Sequence, residues 1–104
     1  MNAKKQVAAT LEVKADQHAL LKGDLHFDTV GALLKVGSEA ISGGRAAVID
    51  LAGVTGGDSA GLALLIEWLS VARGANQVLR YEHIPSQLRQ LARLSEVEAL
   101  LLGG

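Results

Sequence analysis

Residues 46–51, AAVIDL, form a short apolar run broken only by Asp50, with Gly43-Gly44 before it and Gly53 after it. A run of this length between glycines reads as a central strand buried on both faces. A turn follows it. Asp58 or Ser59 then starts a helix that continues to about Arg73, where Gly74-Ala75-Asn76 ends it. A buried strand leading into an apolar helix calls for a parallel crossover and a sheet covered by helices.

The flanking sequence extends this unit. Residues 7–15 alternate, with Ala9, Leu11 and Val13 opposed to Thr10, Glu12 and Lys14, as in a half-buried strand. Residues 19–21 predict a second short strand ended by Gly23-Asp24. Asp28 or Thr29 caps a helix whose apolar face is Val30, Leu33, Leu34 and Ile41 beside Ala40, and Ser42-Gly43-Gly44 stops it. Residues 77–83 predict a further strand, and Pro85 opens a helix carrying Leu88, Leu91, Ala92 and Leu94. Ser95 and Glu98 have the spacing of a capping box, so a short last helix holding Leu100 and Leu101 should follow. The order is ββαβαβαα. It predicts one α/β domain over residues 1–104, a small two-layer sandwich with a mixed sheet and helices mainly on one face.

Composition removes several functional classes. The hydrophobic fraction is 49%, nearly all of it Ala, Val, Leu and Ile, and the net charge is -1. There is no basic stripe with interleaved aromatics, so nucleic acid is not an expected partner. The chain has 0 cysteines, which excludes disulfides and thiolate chemistry. No apolar run approaches the roughly 20 residues of a membrane span, and residues 1–13 lack a signal-peptide core. The expectation is a soluble cytoplasmic protein without direct membrane insertion.

Gly57-Asp58-Ser59-Ala60-Gly61 is a literal G-x-S-x-G between a strand and a helix, the setting of a hydrolase nucleophile. In that fold an acid and then a histidine follow the serine. Here His83 is the one later histidine, with Glu67 and Glu82 the acids between, and Glu67 lies on the helix that Ser59 starts. No HGGG-type segment precedes the motif to build an oxyanion hole. A P-loop lysine is missing, and His18, His26 and His83 have no metal-ligand spacing. No catalytic residue, cofactor or metal is therefore expected. As a helix N-cap, Ser59 would satisfy a first-turn amide, and the helix N-terminus would tolerate a phosphate there.

The helix after Ser59 has apolar residues on two sides. At 100° per residue, Leu62, Leu65, Ile66 and Leu69 share one arc. Leu64 and Val71 fall opposite, with Ala60, and Trp68 lies on the flank. Only Glu67 and Arg73 are charged. A surface helix normally sets polar residues opposite its core stripe, so the second arc predicts a protein interface adjoining Ser59.

The stretch Asp50-Leu51, Val54 and Asp58-Ser59-Ala60-Gly61-Leu62 resembles the signature of the STAS domain family, named for sulfate transporters and anti-sigma factor antagonists. Residues 21–30, LKGDLHFDTV, resemble its G-x-L-x-F segment, and Ile84-Pro85 with the leucines after it resembles a third element. The resemblance implies a STAS-like fold of the SpoIIAA type with a mixed four-to-five-stranded sheet. Asp58-Ser59 and residues 61–65 are most similar to the small STAS subunit of Mla-type phospholipid ABC transporters. That implies a non-catalytic subunit that binds and supports the cytoplasmic ATPase subunit of an ATPase–permease complex, peripheral at the inner-membrane face, in a system maintaining outer-membrane lipid asymmetry. The interaction surface would comprise Asp58, Ser59, Ala60, Gly61, Leu64, Glu67, Trp68 and Val71. The alternative is an anti-sigma factor antagonist whose kinase partner phosphorylates Ser59. Ala60 in place of a second serine, and Gly57 in place of an aliphatic, depart from the antagonist pattern. The Gly56-Gly57 pair would loosen the loop before Ser59.

Overall fold

The computed structural model describes residues 8–103, so Val7, assigned above to the first strand, lies outside the described residues. The elements follow the expected order: β1 (Thr10–Val13), β2 (His18–Leu25), α1 (Val30–Ser42), β3 (Val48–Gly57), α2 (Ser59–Gly74), β4 (Arg80–Glu82), α3 (Ser86–Leu94) and α4 (Glu98–Leu101). They build a four-stranded sheet in the order β1-β2-β3-β4. β1 and β2 are antiparallel, and the β2–β3 and β3–β4 pairs are parallel. Successive right-handed crossovers that advance in one direction put α1 and α2 on the same face. Ala19, Leu21, Leu25, Ile49, Leu51 and Val54 are buried beneath them.

The other face of the sheet is open. Glu12 and Lys22 are exposed there, and Asp50 is half-buried, so β3 is not covered on both sides as its apolar run predicted. Asp50 accepts from the Ala52 amide at 2.8 Å, and His83 Nδ1 stands 2.9 Å from its carboxylate. The Ala52 amide, with His83 adding to it, holds the Asp50 carboxyl below its usual range. Asp50 in turn raises His83.

Two strands are longer than expected because each supports the other. β2 runs through Gly23-Asp24 to Leu25, and β3 runs through Val54-Thr-Gly-Gly to Gly57. Their ladder continues from Lys22↔Gly53 to Leu25↔Gly57, with register shifts on either side of Lys22 and Gly23. Gly23 has φ +96, and a side chain there would collide with the backbone of Ala8 and Ala9. Gly56-Gly57 is therefore the end of a paired strand and not a loose loop. β4 is shorter than predicted, at three residues.

Two expected caps are absent. Thr29 occupies the N-cap position of α1 without capping it. Its hydroxyl donates to the Asp24 carbonyl at 2.6 Å and accepts from the His26 amide at 2.9 Å, which closes the β2–α1 turn instead. α4 starts from Val97 with no side-chain cap. Glu98 is held by Arg93 at 3.3 Å and Arg89 at 3.7 Å, so the Ser95–Glu98 capping box does not form.

The largest correction concerns α2. Trp68 is 0% exposed and Leu64 is 4% exposed, so neither faces a partner. α1 covers that arc. Its Gly37 leaves a notch filled by the indole, where any Cβ would overlap the ring. Trp68 Nε1 donates to the Leu34 carbonyl at 3.3 Å. Val71 is half-buried against the core, while Ile66 and Leu69, expected in the core arc, are also only half-buried. Leu34, expected on the inner face of α1, is 40% exposed. On the sheet side, Tyr81 donates from its hydroxyl to the Leu65 carbonyl at 2.7 Å, and burial raises its pKa well above 10.0.

Leu64→Asp should unfold the chain as fully as Leu65→Asp, since each buries an unpaired charge. Trp68→Ala should cost about 3–5 kcal/mol through the cavity it leaves against Gly37. Urea denaturation measures both. An unchanged midpoint for Leu64→Asp would mean that α1 does not seal this face.

Candidate functional site

A single residue, Asp58, separates the end of β3 from the start of α2. It is extended, with φ -121°, and is the N-cap. Its Oδ1 accepts from the Ala60 amide at 2.9 Å and the Gly61 amide at 3.2 Å. Ser59 is already helical. Its side chain is exposed on the first turn, and its hydroxyl has no hydrogen-bond partner among the described residues. The capping role considered for Ser59 thus belongs to Asp58, because the chain turns helical one residue too early for Ser59 to reach back to the free amides.

The second carboxylate oxygen reaches the β2–α1 turn. Asp58 Oδ2 accepts from the Phe27 amide at 3.3 Å and lies 3.7 Å from His26 Nδ1. The other ring nitrogen of His26 lies 3.8 Å from Asp24, whose carboxylate also accepts from the Thr55 hydroxyl. Partial burial pushes the Asp58 carboxyl up, but the Phe27, Gly61 and Ala60 amides and His26 outweigh it and hold the group below its usual range.

Both glycines of the G-x-S-x-G pattern have a packing role. A Cβ on Gly61 would stand 2.5 Å from the Leu25 carbonyl oxygen and 2.8 Å from Leu25 Cβ. One on Gly57 would stand 2.9 Å from Leu88 Cδ2. These contacts let α2 sit directly on the end of β2 and let α3 pack against the end of β3. The pattern describes a close strand–helix junction, and among the described residues no base is hydrogen-bonded to Ser59 as nucleophilic attack would require. Among the described residues, no group of three or more His, Asp and Glu could hold a metal ion.

Of the residues assigned to an interaction surface, Ser59 and Glu67 are exposed, and Asp58, Ala60 and Val71 are half-buried. Gly61, Leu64 and Trp68 are buried. Two exposed residues outside that set belong to the same junction. Phe27, joined to Asp58 through its amide, is 79% exposed. Leu94 is 82% exposed and lines a groove of about 380 Å³ with Asp58, Ser59, Gln87, Gln90 and Leu91. Their signal was present in the sequence. Phe27 is the sole phenylalanine and sits in a polar turn, and Leu94 ends a strongly amphipathic helix.

Asp58→Ala should lower stability by about 1 kcal/mol through loss of the cap. Because the folded carboxyl is depressed, its contribution is present above the unfolded value near pH 3.9 and is lost as pH falls through the lower folded value. The gap in Tm between the native chain and Asp58→Ala should therefore narrow under acid, and a gap constant from pH 7 to pH 2 would contradict this role. The isolated chain should also hydrolyse nitrophenyl esters no faster than its Ser59→Ala variant; a rate that depends on Ser59 would restore the nucleophile reading.

Comparison with known proteins agrees with this architecture. A family model described as "Mlab, STAS domain" matches residues 5–103. No curated protein matches the chain. Among solved structures, the Bacillus cell-fate determinant SpoIIAA in its phosphorylated form superposes with a TM-score of 0.66 at 18% identity, over 86% of this chain and 85% of that one. The anti-sigma factor antagonist SpoIIAA in its unphosphorylated form superposes with a TM-score of 0.64, also at 18% identity, over 84% of this chain and 83% of that one. At this identity the likeness shows a shared fold. With a family match that spans nearly the whole sequence, the chain belongs to the STAS domain family and is MlaB-like within it.

Proposed function

We propose that this chain is a non-catalytic STAS subunit that binds and supports the cytoplasmic ATPase subunit of a phospholipid ABC transporter, in a system that maintains outer-membrane lipid asymmetry. STAS domains are protein-interaction modules, and the MlaB-like match supports the transporter setting. The observation that carries the reading is a pair of exposed apolar side chains near the exposed Ser59: Phe27, whose amide is tied to Asp58, and Leu94, which shares a groove with Ser59. Solvent-exposed apolar anchors around a rigid polar centre are typical of a protein interface. Asp58 and Gly61 hold that centre in place, and Ala60 and Glu67 continue the surface along α2. The subunit would sit in the cytoplasm, peripheral at the inner-membrane face through its partner. No helix among the described residues is long and apolar enough to cross a membrane.

The second reading is an anti-sigma factor antagonist phosphorylated on Ser59 by a partner kinase. An exposed hydroxyl on a helix's first turn, without a hydrogen-bond partner among the described residues, favours it, since a phosphoryl group there meets the positive end of the helix dipole.

Phe27→Ala and Leu94→Asp should leave thermal unfolding within a few degrees of the native chain. Each should weaken co-purification with the ATPase subunit by about 30-fold, as an anchor worth 2 kcal/mol would. Ser59→Glu should fold and bind differently. Loss of binding should lower ATPase and lipid transport in the reconstituted complex. Undiminished binding by both anchor variants would remove this surface from the proposal. Capture of a kinase and transfer of phosphate to Ser59 would select the second reading.

A further inference from the structure

At the opposite end of α2, a groove of about 470 Å³ opens between that helix, the segment leading into β4, and α4. Ile66, Leu69, Leu79 and Leu100 supply apolar walls, and the exposed Arg73 is also in the lining. Apolar surface continues outward over Val78, 78% exposed, and Leu102, 53% exposed. The volume falls within the range of small-molecule sites, which are mostly apolar with a few polar groups that orient the ligand.

Arg73 is the charged group here, with Ser70 and Gln77 also in the lining. Arg80, Arg89 and Arg93 each pair with a glutamate. The Arg73 side chain has no carboxylate or hydrogen-bond partner among the described residues. A largely hydrocarbon-lined trough with a guanidinium that has no carboxylate partner among the described residues matches an amphiphile with an anionic head, because guanidinium binds carboxylate and phosphate in a bidentate fork. A membrane surface fits less well. Adhesion to anionic lipid relies on clusters of Lys and Arg, and the lining of this groove offers one cation.

We propose that this groove binds a single-chain amphiphile with an anionic carboxylate or phosphate head, in monomeric form, with its hydrocarbon against Ile66, Leu69, Leu79 and Leu100 and its head group on Arg73. The site is separate from the Ser59 surface and does not depend on the function assigned to it.

The test is a methyl NMR titration of the full chain with sodium octanoate, below its micelle concentration, and in parallel with 1-octanol. Octanoate should shift the methyls of Ile66, Leu69, Leu79 and Leu100 saturably. Arg73→Gln should weaken it by about tenfold, the scale of one charge-assisted bond, and 1-octanol should bind the native chain as weakly as octanoate binds the variant. Arg73→Lys should recover part of the affinity. Any of four results would overturn the proposal: shifts that do not saturate or fall elsewhere; equal affinity for octanoate and octanol; the same methyls moving with protein concentration alone, which makes the occupant a second copy; or Arg73-dependent sedimentation with phosphatidylglycerol vesicles but no response to octanoate.

Discussion

The contact on which the rest of this structure depends is the seating of α2's first turn on the end of β2. Gly61 brings the helix so close to the Leu25 carbonyl that no side chain fits between them. Asp58 then spans the gap with one carboxylate, satisfying two helix amides with one oxygen and the Phe27 amide with the other. Sheet, helix and the β2–α1 turn thereby share one charged group. A depressed carboxyl is the electrostatic consequence, since each of those donors favours its ionised form.

This junction explains why an exposed serine can serve recognition without carrying structure. Ser59 sits beside the cap and contributes nothing to it, so its side chain is free to be changed, modified or covered by a partner. The anchors beside it are placed by the same junction. Phe27 stands out because the backbone amide beneath it is tied to Asp58, and Leu94 lies across a groove from Ser59 because Gly57 lets Leu88 of α3 pack against the strand end. A backbone already held by hydrogen bonds, as Phe27 is by Asp58, lowers the entropy lost on docking.

Strand–helix order, the buried runs and the Asp58–Leu62 signature were legible in the sequence, and with them the family. What was not legible came from pairs of residues far apart in the chain. The second apolar arc of α2 looked like an interface because a helical projection cannot show that Gly37, thirty-one positions before Trp68, leaves a notch of the right depth. The glycines at 53, 56 and 57 looked like loop because their role is visible only once β2 supplies the facing strand. Glu98 looked like a capping residue, yet Arg93 and Arg89 of α3, five and nine residues back, hold it. In each case a tertiary partner overrode a local preference. Leu64 and Trp68 left the candidate surface for that reason, and Phe27 and Leu94 entered it.

Hydrogen–deuterium exchange of the chain, alone and in complex with the ATPase subunit, tests the central claim most directly. The account predicts added protection over the β2–α1 turn around Phe27, the first turn of α2, and the α3 face from Gln87 to Leu94. The open face of the sheet around Lys22 and Asp50 should exchange as it does in the free chain. Protection confined to that open face, with the Ser59 junction unchanged, would contradict it.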